Sequence, residues 1–266
     1  MAALGSSREE IAHRARDWHH AEQRAVCDVL EPWAHGMILR ATRYPSYFDY
    51  NLLRVERDPG MSAEELVSLA DQALAGYAHR RIDIEDIATA ERLRPALEAR
   101  GFQTMRLLWM RHQAPPPPGR YVPVDEVAYD TVAHLRLRWH QEDSPDQGTE
   151  YQRWAREIAL RRGVQVLSIS TAREPVAFAQ LAHQDRQAEI TEVYVDARHR
   201  GAGLGTALTR AAIGAAGDID DLWICADEED RAKELYARLG FRPAWSTMEF
   251  WQRERVSLTS MTRPSG

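Results

Sequence analysis

The sequence is short of two residue types that often carry chemistry, because it contains a single lysine and only two cysteines among 266 residues. Cys27 and Cys225 each lie in an apolar pattern, which is typical of a buried free thiol. Three histidines, His13, His19 and His20, lie on a polar, arginine-rich stretch that offers no cysteine and no cluster of carboxylates as further ligands. A protein metal site needs several such ligands together, so we expect no bound metal.

Long hydrophobic runs are also missing, since no stretch approaches the roughly 20 apolar residues of a membrane span. The first ten residues lack the apolar core of a signal peptide, so we expect a soluble cytoplasmic protein with no membrane partner. A net charge of −6 and the lack of a recognition motif give no reason to expect nucleic acid binding. With 44% hydrophobic residues, the chain can bury the core of one large or two modest domains.

One stretch near the C-terminal third has chemistry that can be named. It reads Val193-Tyr194-Val195-Asp196-Ala197-Arg198-His199-Arg200-Gly201-Ala202-Gly203-Leu204-Gly205-Thr206. The β-branched and aromatic run over 190–195 predicts a strand, and apolar residues at helical spacing from Leu204 predict a helix. The alternate glycines let backbone N–H groups converge where the helix begins, and Arg198 and Arg200 add positive charge. This combination favours binding of a diphosphate.

The spacing of the glycines separates this loop from two common nucleotide sites. A dinucleotide fingerprint is Gly-x-Gly-x-x-Gly, and a Walker loop ends in Gly-Lys-Ser/Thr, whereas this loop has Gly-x-Gly-x-Gly after two arginines. The order Arg198-x-x-Gly201-x-Gly203 resembles motif A of the GCN5-related N-acetyltransferase (GNAT) family. A second block over 232–241, Ala-Lys-Glu-Leu-Tyr-Ala-Arg-Leu-Gly-Phe, is similar to that family's signature in its last helix and turn.

The resemblance implies a mixed α/β fold, an acyl-coenzyme A cofactor and acyl transfer by direct attack of an amine in a ternary complex. The strand backbone would pair with the pantetheine amides, and the loop amides would bind the diphosphate. The residues implied in cofactor binding are Val193, Tyr194, Val195, Arg198, Arg200, Gly201, Ala202, Gly203, Leu204, Gly205 and Thr206. Before the last helix, relatives usually have an asparagine where this sequence has four acidic residues over 227–230, of which Glu229 or Asp230 is expected to cap the helix.

Attack on a thioester requires a neutral amine, and hence a carboxylate within reach, directly or through one water. Glu189 and Glu192 are the candidates on the predicted strand. Glu189 has the family's spacing, whereas Glu192 would face the other way unless a β-bulge intervenes; at least one of the two is expected to be a solvated or salt-bridged carboxylate. The resemblance places Tyr236 as the general acid that protonates the departing thiolate, although its helical stripe also fits core packing.

A faint repeat predicts that the chain contains two GNAT-like folds in tandem, each with a mixed central sheet flanked by helices. The sequence of residues 97–102 is similar to that of 236–241, and residues 57–63 occupy the place in the first half that 198–205 occupy in the second. The alternative is chance similarity in a generic α+β chain. With Pro59 and one glycine, Gly60, the first half is expected to be degenerate and not to bind cofactor productively. Four prolines over 115–118 suggest a stiff linker. The predicted division is 1–114, a linker over 115–120, the acyltransferase domain over 121–258 and a tail over 259–266.

The polar-tipped aromatic stretch Tyr47-Phe48-Asp49-Tyr50 has two interpretations, core packing or a wall for a substrate in a cleft between the halves. The sequence therefore predicts an acetyl-coenzyme A dependent N-acyltransferase whose partner is a small-molecule amine. Two alternatives stay open: acylation of a protein or peptide amine, and a non-catalytic module that binds acyl-coenzyme A. The sequence leaves open whether the protein is a monomer or a homodimer.

Overall fold

The computed structural model describes residues 7–143 and 149–253, and helices alternate with strands along most of this length. Within these ranges the helices are α1 (Arg8–Val26), α2 (Ala63–Ala73), α3 (Ile87–Glu98), α4 (Ala133–Asp143), α5 (Thr149–Arg161), α6 (Leu204–Ala215) and α7 (Ala232–Arg238). The strands are β1 (Val29–Trp33), β2 (Gly36–Arg40), β3 (Leu52–Val55), β4 (His79–Ile84), β5 (Gln103–His112), β6 (Asp125–Val127), β7 (Gln165–Thr171), β8 (Glu174–Gln184), β9 (Gln187–Val195), β10 (Asp221–Asp227) and β11 (Phe241–Arg253). The predicted mixed α/β class is confirmed. None of the helices in the described ranges is long and apolar enough to cross a membrane.

The chain forms two compact units. The first combines the segment that ends at Val26 with Arg106–Thr247, and the second combines Cys27–Met105 with the segment that begins at Met248. The sequence predicts a different division, with a linker over 115–120. The Pro-rich segment has no helix or strand, but it lies within the first unit, where Arg210 of α6 donates a hydrogen bond to the carbonyl oxygen of Pro117 at 3.0 Å. The predicted tail over 259–266 lies outside the described residues.

Strand pairing explains why the units do not follow the order of the sequence. β5, from the N-terminal half, pairs antiparallel with β10, and β11, from the C-terminal half, pairs antiparallel with β4. Each unit therefore contains a strand from the other half of the chain. Alternating apolar residues predict that a segment is a strand, but its partner is set by contacts distant in sequence.

The sheet of the first unit has the strand order β5-β10-β9-β8-β7-β6, in which β9 and β10 are parallel. One face packs against α6 and α7 through an apolar cluster that includes Ile190, Ile224 and Leu208. The other face is covered partly by α1, whose Ala15 and Trp18 pack with a group of tryptophans on the strands. Those tryptophans are Trp109, Trp223 and Trp245. Helix α4 covers the same side farther along β8 and β9.

The second unit has the strand order β1-β2-β3-β4-β11, with β3 and β4 parallel. Its apolar face, which includes Leu53, Ile82 and Phe250, packs against α2 and α3. Helix α2 begins at a capping box in which Ser62 and Glu65 each accept a hydrogen bond from the other's backbone N–H.

Candidate active site

The candidate site begins at an irregularity in strand β9. Phe178 of β8 pairs with Tyr194, and Gln180 pairs with Thr191, so two residues of β9, Glu192 and Val193, lie opposite one residue of β8. This is a β-bulge. Its effect is visible in the packing, because Ala188 and Ile190 before the bulge and Val193 and Val195 after it all pack on the α6 side of the sheet. The bulge has shifted the alternation by one residue.

The parallel strands β9 and β10 stop pairing at the same place. Their register runs from Gln187–Asp221 to Ile190–Ile224, whereas β9 continues to Val195 and β10 to Asp227. The C-terminal parts of the two strands therefore separate. An extended ligand can pair with strand backbone in such an opening, as an added strand does.

The glycine loop follows the bulged strand directly. Gly201 and Gly203 have φ values of +81° and +79°, a region that favours glycine, and a β-carbon added at either would meet nothing within 4 Å. Gly203 is the N-cap residue of the 12-residue helix α6. Gly205 differs, since its added β-carbon would make an ordinary contact with Leu235 at 3.7 Å rather than face open space. The loop therefore presents bare backbone at a helix N-terminus, which suits an anion.

The two arginines of the loop are held by carboxylates. Arg198, 73% exposed, pairs with the buried Asp196 at 3.1 Å, and Arg200 pairs with Glu142 of α4 at 2.6 Å. Asp196 also accepts a hydrogen bond from the backbone N–H of Arg198 at 3.0 Å, which fixes the turn after β9. Tyr194 donates its hydroxyl to Glu142 at 2.9 Å. A phosphate at this loop would compete with these carboxylates for the guanidinium groups.

Glu189 is a buried carboxyl on β9, and Trp18 of α1 donates its indole N–H to it at 2.7 Å. Burial raises the pKa of Glu189 to about 7, against the lowering effects of Trp18 and the nearby Arg162. Arg162, just after α5, is itself paired with Glu22 of α1. The group therefore has the affinity for a proton that a general base needs near neutral pH.

Glu192 is the second predicted carboxylate. Regular alternation along β9 would place its side chain on the opposite face of the sheet from that of Glu189, and the bulge changes this position. Its carboxylate forms a bidentate ion pair with Arg136 of α4, one contact of which measures 2.8 Å. Arg136 is only 4% exposed. At least one of the two carboxylates is expected from the sequence to be solvated or salt-bridged, and Glu192 is salt-bridged, because the guanidinium of Arg136 binds both of its oxygens.

Tyr236 lies on α7 and is 7% exposed, with its ring edge-on to Phe241 at a centroid distance of 6.2 Å. Burial raises the pKa of its hydroxyl well above the ordinary range, so the phenol stays protonated at neutral pH. Before the helix, Asp230 accepts a hydrogen bond from the backbone N–H of Ala232 at 3.3 Å. The N-cap residue is Arg231, which makes no side-chain cap bond, so the predicted cap at Glu229 or Asp230 is wrong.

The aromatic stretch over 47–50 lies in the second unit and is held by contacts within it. Tyr47 and Tyr50 are stacked with centroids 5.5 Å apart, and Phe48 stacks on His79 at 4.1 Å. The side chain of the buried Asn51 ties the stretch together by donating to the carbonyl oxygens of Tyr44 and Tyr47, both at 2.8 Å. Asp49 is half exposed and pairs with Arg81. Most of this stretch is therefore packed within the second unit, and its contact with a substrate stays a prediction.

The counterpart of the loop in the N-terminal half lacks both features of the candidate site. β3 and β4 pair from Leu53–Ile82 to Val55–Ile84, the ends of the two strands, and the backbone N–H of Glu85 still donates to Val55 at 2.9 Å. The strands do not separate there. The following loop contains Pro59, which has no N–H to donate.

Sequence reasoning missed the side chains that support the site from other elements. Trp18 and Arg162 face Glu189, and Arg136 holds Glu192. Each of these residues lies between 27 and 171 positions away from the carboxylate it contacts, so no local sequence pattern connects the two. Asp196 did carry a signal, because an aspartate directly after a strand is typical of a side chain that caps a turn.

Comparison with known proteins agrees with the geometry. Residues 129–241 match the model of the acetyltransferase (GNAT) family. A functionally unknown conserved protein from Staphylococcus epidermidis is similar in structure, with a TM-score of 0.67 and 14% identity over 86% of this chain and 95% of that chain. A GCN5-related N-acetyltransferase from Kribbella flavida has a TM-score of 0.54 and 19% identity over 91% of this chain and 95% of that chain. At such identities the likeness concerns the fold alone, and no curated protein matches the chain.

Proposed function

We propose that this chain, whose residues 129–241 match the model of the acetyltransferase (GNAT) family, transfers an acyl group from acyl-coenzyme A to the amine of a small molecule. One observation carries the proposal: a bulged strand that separates from its parallel neighbour leads directly into a loop of bare, exposed backbone at a helix N-terminus. The opening suits an extended chain of amides, and the loop suits a diphosphate.

The residues present fit an acyl-coenzyme A, since the space above Gly201 and Gly203 is open. The amides of 201–206 would hold its diphosphate, and the backbone of 193–195 would pair with its pantetheine amides. When bound, it supplies an acyl group activated as a thioester. Arg198 and Arg200, both substantially exposed, can exchange their carboxylate partners for phosphate oxygens.

We assign Glu189 as the general base and Tyr236 as the general acid. Glu189 accepts the proton of the acceptor ammonium, directly or through one water, and Trp18 orients the carboxylate. Tyr236 holds a proton on its hydroxyl at neutral pH and donates it to the departing thiolate. The paired carboxylate of Glu192 is not the base in this assignment, because Arg136 engages both of its oxygens.

The acceptor contact is proposed at the aromatic stretch of the second unit. Asp49 is its half-exposed charged group, for which an ammonium would compete with Arg81, while Tyr47, Phe48 and Tyr50 form its packed surroundings. We also propose that the N-terminal half, residues 1–114, is a degenerate GNAT-like fold that does not bind cofactor productively. Its paired strands β3 and β4 leave no opening of the kind seen after Ile190.

Release of free coenzyme A thiol tests the proposal against its alternatives. The full chain is given acetyl-coenzyme A with a panel of small primary amines and, in parallel, a panel of peptides. We expect thiol release that depends on a small amine. Release with peptides alone would favour protein acylation, and binding of acetyl-coenzyme A without release in either panel would favour a non-catalytic module. Lack of binding would remove the proposal.

A further inference from the structure

Glu192, at the centre of the β9 bulge, has a φ of +52°. This left-handed backbone conformation is unfavourable for a residue with a β-carbon, and glycine is the residue that adopts it without cost. Such conformations persist only where the surroundings hold them in place. The bulge that opens β9 away from β10 therefore contains a strained residue that needs an anchor.

The anchor is Arg136 of α4. Its guanidinium binds both carboxylate oxygens of Glu192, and the same group lies over the ring of Tyr129 at 4.4 Å and over Phe178 at 5.4 Å. Phe178 belongs to β8 and pairs with Tyr194, on the far side of the bulge. Arg136 thus contacts the strained residue and the strand opposite it, in a largely buried position that restricts its movement.

We propose that Arg136 is a positioning residue that locks the β9 bulge and so keeps the acyl-coenzyme A groove open. The lock is the bidentate pair with Glu192, which stabilises the left-handed conformation at that position. Without it, the folded protein shifts towards states in which the segment 191–195 no longer stands apart from β10. The identity of the ligand rests on the proposed function. The lock itself rests on the backbone and side-chain geometry alone.

Two substitutions at one position separate strain from charge. Glu192→Ala and Glu192→Gly both remove the carboxylate, but only alanine retains the β-carbon that makes a positive φ costly. Both variants leave the buried guanidinium of Arg136 without this carboxylate, so the difference between them isolates the strain. We expect the dissociation constant for acetyl-coenzyme A, measured by calorimetry, to be about ten-fold higher in Glu192→Ala than in Glu192→Gly. Arg136→Met should weaken binding at least as much as Glu192→Ala.

The double variant distinguishes the proposed lock from a general contribution of Arg136 to protein stability. In Arg136→Met/Glu192→Gly, glycine adopts the conformation without help and neither charge is left unpaired, so binding should return to within about three-fold of wild type. Arg156→Met is the matched control, because it removes another bidentate arginine–carboxylate pair of the same unit, with Asp130 at 2.6 and 2.7 Å. It should bind as wild type does.

Amide hydrogen exchange over 191–195 tests the lock without any ligand. We expect exchange rates in this segment to differ from wild type by about ten-fold or more in Arg136→Met and Glu192→Ala, and by less in Glu192→Gly. Wild-type exchange in Arg136→Met, or a binding defect that persists in the double variant, would overturn the inference. Failure of wild type to bind acetyl-coenzyme A would instead refute the proposed function, and the exchange result would still decide the lock.

Discussion

Replacing Tyr236 with phenylalanine is expected to lower kcat by about 10²–10⁴-fold and to leave the dissociation constant for acetyl-coenzyme A within about two-fold of wild type. The substitution removes one hydroxyl from a buried ring that packs on Phe241, so the packing is retained. What is lost is the proton donor, which burial keeps protonated by raising the pKa of the phenol. Steady-state thiol release and calorimetry measure the two quantities separately.

Tyr121→Phe is the control for this variant. Tyr121 lies in the same unit and is 84% exposed, so loss of its hydroxyl should change neither kcat nor binding. A Tyr236→Phe enzyme with wild-type kcat would show that the thiolate leaves without this proton. Wild-type kcat with tighter or weaker binding would assign the residue to the cofactor pocket instead.

Glu189→Gln is expected to lower kcat/KM by about 10²-fold or more and to flatten its dependence on pH. In wild type the base must be ionised, and because burial raises the pKa of Glu189 to about 7, kcat/KM should rise with pH until about pH 7. Glutamine has no proton to lose, so that rise should vanish. Glu150→Gln, at an exposed position on α5, should retain the wild-type profile.

Protein stability gives an independent check on the same carboxyl. Its pKa in the folded state, about 7, lies above the ordinary 4.5. The folded state therefore binds more protons than the unfolded state between these values, and this group makes the free energy of unfolding fall as pH rises from 4.5 to 7. Glu189→Gln should lack that fall in denaturant titrations. An identical pH dependence in wild type and variant would contradict the assigned pKa.

The sequence predicts the parts of the site that local chemistry defines. Glycines at 201 and 203 can be recognised because a positive φ and close backbone approach both favour glycine, and Tyr236 because the block over 232–241 has a recognisable pattern. Glu189 and Glu192 are found as carboxylates on a predicted strand. Their different environments could not be predicted, since burial depends on which helices cover the strand.

The side chains that create those environments come from distant elements. Trp18 reaches Glu189 from α1, at the other end of the chain, and Arg136 reaches Glu192 from α4. The bulge at Glu192 is equally hidden, because glutamate has no preference for a positive φ and takes it only when other contacts hold it there. The sequence allows a bulge at Glu192, but nothing in the sequence indicates that one forms there.

Strand partners are a second part of the fold that the sequence does not determine locally. The residues of β5 and β11 read as strands, yet β5 pairs with β10 and β11 with β4. A boundary drawn at the four prolines over 115–118 is reasonable from composition, because consecutive prolines end regular structure. The compact units nevertheless follow the hydrogen-bonded ladders, which join segments more than 100 residues apart.

Calorimetric titration of acetyl-coenzyme A into wild type and Gly203→Glu tests the central claim, that the backbone of the glycine loop binds a diphosphate. Gly203→Glu places a carboxylate in the open space above the loop and strains a backbone whose φ is +79°, and together the like charge and the strain should weaken binding by roughly 100-fold or more. Gly214→Glu adds the same charge to open space near the other end of α6 and should bind as wild type does. Gly203→Glu that remains folded and binds acetyl-coenzyme A with wild-type affinity would contradict the account.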